Sequence, residues 1–158
     1  MSEFEPAVHR VVPEQRWFGD FLIGERFVLP SRTMTEALFL AFQSASGDNH
    51  PVHHNIEYCR AWTAGDAGAR PPDADPDRAG RGLFPFVTED SLVASLEQSS
   101  RFLKPVFAGD MPYPTLEVDE LSPNRSTGIV GLRSTVHNQR KELVLEGRQR
   151  FPLRKGSE

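Results

Sequence analysis

The spacing of apolar residues in the first third of the chain predicts one helix. Between Met34 and Ala45, apolar residues recur at intervals that place them on a single helical face. Gly47 follows, and glycine suits the left-handed position at which a helix ends. The pattern predicts a helix over 35–45, with Thr33 and Glu36 as a capping box at its start.

After residue 82 the pattern changes from the helical period to the alternation of strands. The segment 91–102 carries Leu92, Ala94, Leu96 and Phe102 on one side, which predicts a long strand. Two later alternating segments, separated by a turn at 138–141, predict a hairpin. One helix followed by antiparallel strands is typical of an α+β domain, which we place at residues 17–155. The predicted strands are 26–29, 91–102, 115–118, 128–137 and 142–153, and one or two helical turns are predicted at 56–62.

Two stretches lack either period. Residues 1–16 are polar and contain two prolines, which predicts a flexible N-terminal arm. Residues 62–81 contain three proline and four aspartate residues, and no aliphatic side chain larger than alanine. Such a composition is typical of disorder, and twenty such residues are anomalous inside a compact domain.

The bulk composition limits the classes of function. The 158 residues suffice for one domain, and a net charge of −4 gives no basic surface for nucleic acid. No apolar run is long enough to span a membrane, and the first residues show no signal-peptide core. The single cysteine excludes an intrachain disulfide and fits a reducing compartment. We therefore expect a cytoplasmic protein that binds neither nucleic acid nor membrane.

The candidate chemistry lies in the loop after the predicted helix, which reads Ser-Gly-Asp-Asn-His-Pro-Val-His over 46–53. Asp48 follows the negative end of the helix, where a carboxyl pKa tends to rise, and His53 is of a type that titrates near neutrality. Such a pair can move a proton and activate water. Most aspartates that follow a glycine, as Asp48 does, are ordinary turn residues, and a histidine such as His53 taken alone is more often packed or solvated; the spacing of the two favours catalysis.

Other interpretations of nearby residues are weaker. His50, His53 and His54 suggest a metal site, but zinc needs three or four converging ligands and the sequence offers only Asp48, Glu57 and Cys59 beside them. We therefore predict no metal, and a packing role for the cysteine. Two basic residues could meet coenzyme A phosphates or could be ordinary surface charges, which we prefer; these are Arg101 and Lys104. Four aromatic residues fit a core or a dimer contact better than an acyl pocket; these are Trp17, Phe42, Phe84 and Phe86.

Together these motifs resemble the MaoC-like hydratase/dehydratase family, which includes (R)-specific enoyl-CoA hydratases. The resemblance covers most of the chain from Phe18 onward, and its main element is the 46–53 loop, in which His50 stands where the family has asparagine. The further matching segments are 18–24, 33–48, 101–110 and 136–139.

The resemblance implies a hot-dog fold, a curved antiparallel sheet wrapped around a central helix, and a homodimer or higher homo-oligomer. It implies reversible addition of water to a trans-2-enoyl-CoA, with Asp48 and His53 holding the water and with the loop residues His50, Pro51 and Val52 against the substrate. No cofactor is implied beyond the coenzyme A of the substrate.

One family element is absent. The family's oxyanion donor lies in an Ala-His-Gly segment that opens the central helix, and the corresponding stretch here is 62–81, which has no such segment. Read one base over with permitted codon choices, residues 66–77 can become Met-Leu-Ala-His-Gly-Leu-Gln-Thr-Leu-Ile-Gln-Thr. We hypothesise a local frameshift or disorder there, which the nucleotide sequence checks.

Two functions remain open on these residues. The intact Asp–His loop favours a hydratase, whereas the missing segment favours a catalytically degenerate hot-dog protein that binds acyl thioesters or serves as an assembly subunit. A thioesterase would leave the loop unexplained.

Overall fold

A computed structural model describes residues 14–47, 50–62 and 83–156. Asp48, most of the predicted arm and nearly all of the anomalous stretch lie outside these residues. The last residues of the predicted arm are held to the domain. Gln15 Nε2 donates to the carbonyl of Phe86 at 2.7 Å, and Arg16 forms an ion pair with Glu25 at 2.5 Å.

A five-stranded antiparallel sheet forms the body of the structure. Its strands are β1 (Arg26–Val28), β2 (Glu97–Phe102), β3 (Tyr113–Pro123), β4 (Thr127–His137) and β5 (Leu143–Arg154). Their order is β1-β3-β4-β5-β2, so that β1 and β2 form the two edges. The predicted hairpin is confirmed: β4 and β5 pair along their whole length, and the turn closes where Lys141 N–H donates to the carbonyl of Asn138 at 3.0 Å.

Three helices accompany the sheet in the described residues. They are α1 (Glu36–Ser46), α2 (Ile56–Trp62) and α3 (Leu83–Val87), and single 3₁₀ turns occur at Phe18–Asp20 and Pro51–His53. The first two helices were predicted within one residue of their observed bounds. The third was not predicted, because Pro85 lies within it and its five residues are too short to show a period.

Two local predictions were wrong. The cap of α1 is Thr35, whose hydroxyl accepts from Leu38 N–H at 3.3 Å, and not Thr33, whose hydroxyl contacts Met111 Sδ at 3.9 Å. The long strand predicted at 91–102 begins only at Glu97, and its supposedly inward residues Leu96 and Phe102 are 56% and 52% exposed. An edge strand has one unpaired side, so its alternation does not guarantee burial.

The core consists of two separate groups of buried side chains. The large cluster joins the segment after the first 3₁₀ turn, β1 and α3 to strands β3, β4 and β5. It contains Phe21, Phe27, Leu29, Phe84, Leu116, Val118, Val130, Leu132, Phe151 and Leu153. The small cluster lies beneath α1 and contains Met34, Phe39, Val106, Val136, Val144 and Leu145. Both face the same side of the sheet, and no residue belongs to both.

Candidate active site

The candidate loop begins where α1 ends at a glycine, as predicted. Gly47 has φ 72°, and its N–H donates to the carbonyl of Gln43 at 3.0 Å. A residue with a Cβ is strained in this left-handed conformation, so glycine lets the chain leave the helix abruptly. The geometry fixes the direction from which the chain enters the segment with Asp48.

His53 ends the 3₁₀ turn that follows. Its N–H donates to the carbonyl of His50 at 3.0 Å, and its ring lies 6.1 Å from the His50 ring, centroid to centroid. The His50 ring also meets Tyr58 of α2 edge-on at 5.7 Å. The Nδ1 atom of His53 is shielded from solvent. Of the five predicted site residues, the structure thus brings His50, Pro51 and His53 into one turn.

Side-chain hydrogen bonds join this turn to both neighbouring helices. His54 Nδ1 lies 3.2 Å from Gln43 Nε2 of α1. Asn55 Oδ1 accepts from Tyr58 N–H at 3.0 Å, which caps α2. Because α1, the turn and α2 are tied together, a displacement of α1 displaces the histidines. The side chain of Val52 and all of Asp48 lie outside the described residues, and their predicted roles stay predictions.

The start of α1 is fixed to the sheet by a second group of residues. Met34 N–H donates to the carbonyl of Asp110 at 2.8 Å, and Gly109 N–H donates back to the carbonyl of Met34 at 2.7 Å. Asp110 is 6% exposed. Its carboxylate accepts hydrogen bonds from Phe107 N–H at 2.9 Å and from Gln139 Nε2 at 2.5 Å. We call Asp110 and Gln139, together with their hydrogen-bonded neighbours Met34, Phe107 and Gly109, the clamp.

The hairpin turn beside the clamp is held by charge. The Glu142 carboxylate accepts from Asn138 Nδ2 at 2.7 Å, from Lys104 Nζ at 2.6 Å and from Arg140 Nε at 3.0 Å. The Asn138 hydrogen bond first, and then those from the two cations, lower the pKa of Glu142 to about 2. The Glu142 carboxylate is therefore ionised at neutral pH, where it accepts these three hydrogen bonds beside the turn that carries Gln139.

An apolar cavity lies on the same side of the sheet, under α3. It is lined by Leu29, Phe84, Pro85, Leu92, Leu116, Gln149 and Phe151. Gln149 is the single amide among these lining residues.

The other residues singled out from sequence have structural partners. Arg101 pairs with Glu146 at 2.9 Å and Lys104 with Glu142 at 2.6 Å, which supports their interpretation as surface charges. Phe84 belongs to the large cluster, whereas Phe86 is 44% exposed.

The described residues contain neither a group of metal ligands nor a membrane-spanning helix. Within 14–47, 50–62 and 83–156, no three His, Cys, Asp or Glu side chains are grouped so that they could hold a metal ion. None of the helices in this part of the chain is long and apolar enough to cross a membrane.

No protein-family model and no curated protein matches the sequence, but solved structures do. A monoamine oxidase regulatory protein from Archaeoglobus fulgius is 27% identical, with a TM-score of 0.76 over 91% of this chain and 97% of that one. A conserved hypothetical protein from Mycobacterium tuberculosis with a double hotdog fold is 28% identical, with a TM-score of 0.76 over 91% of this chain. The present chain spans 46% of that protein.

The fold is that of the MaoC-like dehydratases. The MaoC-like dehydratase from Rhodospirillum rubrum superposes with a TM-score of 0.74 at 20% identity, over 90% of this chain and 99% of that one. Further matching structures, all at lower identity than 25%, include (R)-hydratases and a 3R-hydroxyacyl-ACP dehydratase complex. The predicted hot-dog fold is thus confirmed, together with the resemblance to this group of structures.

Sequence reasoning missed the clamp as part of the site. Asp110 and Gln139 both lie in segments that matched the family, but 28 residues separate them and no local period connects them. Asp110 after a glycine looks like an ordinary turn residue. A buried carboxylate needs partners, so the only usable signal is the cost of burying it, which requires the fold.

Proposed function

We propose that this chain is a hydratase/dehydratase that adds water reversibly to a trans-2-enoyl-CoA and yields a 3-hydroxyacyl-CoA. The observation that carries the proposal is the turn at the end of α1. Gly47 in the left-handed conformation releases the chain, and His53 returns six residues later on a 3₁₀ turn tied to α1. The hot-dog fold shared with dehydratases and (R)-hydratases supports it.

In this mechanism Asp48 and His53 hold one water molecule. One of the pair takes a proton from the water as the water oxygen bonds to the β-carbon of the enoyl group, and the π electrons shift toward the thioester. A proton from the pair then bonds to the α-carbon, so that the elements of one water molecule are added. The negative charge that develops on the thioester oxygen needs hydrogen-bond donors. His50 and Pro51 would line the approach to the reacting carbons.

The test is hydration of crotonyl-CoA by the purified chain, followed as loss of the conjugated enoyl absorbance. We expect turnover by the wild type and a loss of 10²-fold or more in His53→Gln, since general acid–base catalysis contributes about 10²–10⁴-fold. His137→Gln is the matched control, because this exposed imidazole lies at the end of β4 and takes no part in the turn.

Binding measurements separate the degenerate alternative, which the missing Ala-His-Gly segment favours. If butyryl-CoA binds but no enoyl-CoA of any length is hydrated, the chain is a binding protein and the hydratase proposal is wrong.

We also propose that two copies of the chain associate at the β2 edge. This strand has an unpaired side, and apolar side chains along it and beside it are exposed: Val93 51%, Leu96 56% and Phe102 52%. Five of the six residues of β2 are polar or charged, so the pairing would rest on its unpaired backbone N–H and C=O groups together with these exposed apolar side chains. Light scattering should give a dimer for the wild type and a monomer for Phe102→Lys. A monomeric wild type would contradict this part of the proposal.

A further inference from the structure

Three aromatic side chains form a row at the candidate loop. The His50 ring contacts the rings of both His53 and Tyr58, with centroid separations of 6.1 Å and 5.7 Å. Both contacts are edge-to-face, at interplanar angles of 70° and 79°. Aromatic pairs prefer this geometry at separations of about 4.5–7 Å. We call His53, His50 and Tyr58 the ring row.

The local sequence brings the two imidazoles together. Pro51, whose ring fixes its φ, opens the 3₁₀ turn, and His53 ends it. A 3₁₀ turn has three residues per turn, so that side chains three residues apart lie above one another. The carbonyl of His50 accepts a hydrogen bond from His53 N–H at 3.0 Å, which closes the turn. The spacing His-Pro-Val-His therefore gives the two rings adjacent positions.

The start of α2 fixes the other end of the ring row. Tyr58 N–H donates to Asn55 Oδ1 at 3.0 Å, which caps the first turn of the helix. Asn55 N–H in turn donates to the carbonyl of Pro51 at 2.8 Å. The backbone that carries Tyr58 is therefore tied directly to the turn that carries both histidines, and this connection holds the tyrosine ring against His50.

Two members of the ring row contribute little to the hydrophobic core. Tyr58 is 38% exposed, His50 is exposed as well, and neither belongs to the large or the small cluster. His53 is half-buried. The two outer rings thus bury little apolar surface, and what their contacts do is restrict the rotation of the more buried imidazole.

We propose that His50 and Tyr58 are positioning residues that hold the His53 imidazole in one orientation for proton transfer. The inference rests on the proposed function and deepens it. Small misplacements of a reacting group lower the rate steeply, so an imidazole that rotates freely is in the reactive orientation for only part of the time. The family that the sequence resembles has asparagine at position 50, which offers no ring, so the ring row is particular to this chain.

Nuclear magnetic resonance tests the ring row without any turnover. We expect nuclear Overhauser effects between the ring protons of His53 and His50, and between those of His50 and Tyr58. Tyr58→Leu should shift the ring resonances of both histidines. Tyr113→Leu is the matched control, because it removes a tyrosine of similar exposure, 45%, from β3 and should leave these resonances in place. Absence of the Overhauser effects in the folded wild type overturns the inference.

Turnover of crotonyl-CoA tests the consequence for catalysis. Tyr58→Leu and His50→Asn should each lower kcat by about 10–100-fold with KM close to the wild-type value, because substrate still binds while the reactive orientation is lost. Tyr58→Phe keeps the ring and removes only the hydroxyl, so it should restore kcat. A loss confined to KM would assign His50 to substrate contact instead and overturns the positioning role.

A double-mutant cycle decides whether Tyr58 acts through His50. In a chain that already carries His50→Asn, the further change Tyr58→Leu should leave kcat where it is. Losses that multiply in the double variant would show that the two side chains act independently, and they overturn the ring row. Circular dichroism and urea unfolding verify that each variant is folded.

The outcomes separate this inference from the proposed function. Hydration by the wild type with unchanged kcat in both Tyr58→Leu and His50→Asn overturns the positioning role and leaves the hydratase intact. Overhauser effects along the ring row, with His53 resonances that depend on Tyr58, in a wild type that hydrates no enoyl-CoA support the restraint on His53 and overturn the hydratase.

Discussion

The large and small clusters differ in composition and in what they hold in place. The large cluster contains three aromatic rings in mutual contact, Phe21, Phe27 and Phe84, and a fourth, Phe151, against Phe84, with centroids 5.6–6.2 Å apart. It joins elements distant in sequence. In the small cluster, α1 contributes a single buried side chain, Phe39, and the other members are aliphatic or methionine side chains. The first therefore stabilises the domain, whereas the second together with the clamp sets where α1 and the candidate site lie.

A large loss of stability without a loss of rate is expected in the large cluster. Leu153→Ala removes a fully buried side chain and should lower the free energy of unfolding by about 2–5 kcal/mol. Hydration per folded molecule should stay close to that of the wild type. Urea unfolding gives the fraction of folded protein, and the hydration rate is divided by that fraction. A rate that falls by more than the fraction of folded protein would contradict the assignment of separate roles to the two clusters.

Phe39→Ala should differ from Leu153→Ala in its effect on the rate. Removal of this buried side chain should lower the free energy of unfolding by about 3–5 kcal/mol. Because α1 can then move away from the sheet, we also expect at least a 10-fold loss of hydration per folded molecule. Amide hydrogen exchange in α1 should accelerate selectively. Leu40→Ala, on the same helix and 60% exposed, is the matched control and should change neither quantity.

Asp110→Asn should weaken the clamp. The carboxylate accepts one hydrogen bond on each of its two oxygens, whereas an asparagine amide has only one oxygen. Either the Phe107 N–H or the Gln139 amide therefore loses its acceptor, and the free energy of unfolding should fall by about 1–3 kcal/mol. Asp119→Asn is the control, because its carboxylate forms only a surface ion pair with Arg148 at 3.4 Å. Equal unfolding midpoints for the two variants would show that the clamp does not contribute.

The smallest effect concerns the hairpin turn and pH. Because the pKa of Glu142 is lowered from 4.5 to about 2, its contribution to stability is fully present above pH 4.5 and is lost as the pH falls toward 2. Glu142→Gln should therefore reduce the slope of stability against pH in that interval. Glu89→Gln, which removes an exposed charge outside the turn, is the control. An identical slope in both variants would contradict the assignment.

The sequence predicted those elements whose period is local. The β4–β5 hairpin, α1 and its glycine end were all recognisable, because alternation and helical spacing are fixed within about ten residues. The cap of α1 was misplaced from Thr35 to Thr33. The backbone of Met34 pairs with Gly109 and Asp110, a contact more than seventy residues away that no local motif encodes.

The candidate site was only partly accessible to such reasoning. The loop with His53 was recognisable as a contiguous motif, whereas the clamp joins a residue of the loop before β3 to a residue of the β4–β5 turn. Asp110 and Gln139 are unremarkable in sequence and acquire meaning only from the fold, which places their side chains 2.5 Å apart.

The most direct test of the proposed chemistry is the rate of crotonyl-CoA hydration by Asp48→Asn relative to the wild type. The substitution keeps the size of the side chain and removes the carboxylate that would activate water. We predict a loss of 10²-fold or more with an unchanged unfolding free energy. A variant that retains the full wild-type rate would contradict the central claim that Asp48 and His53 act on one shared water.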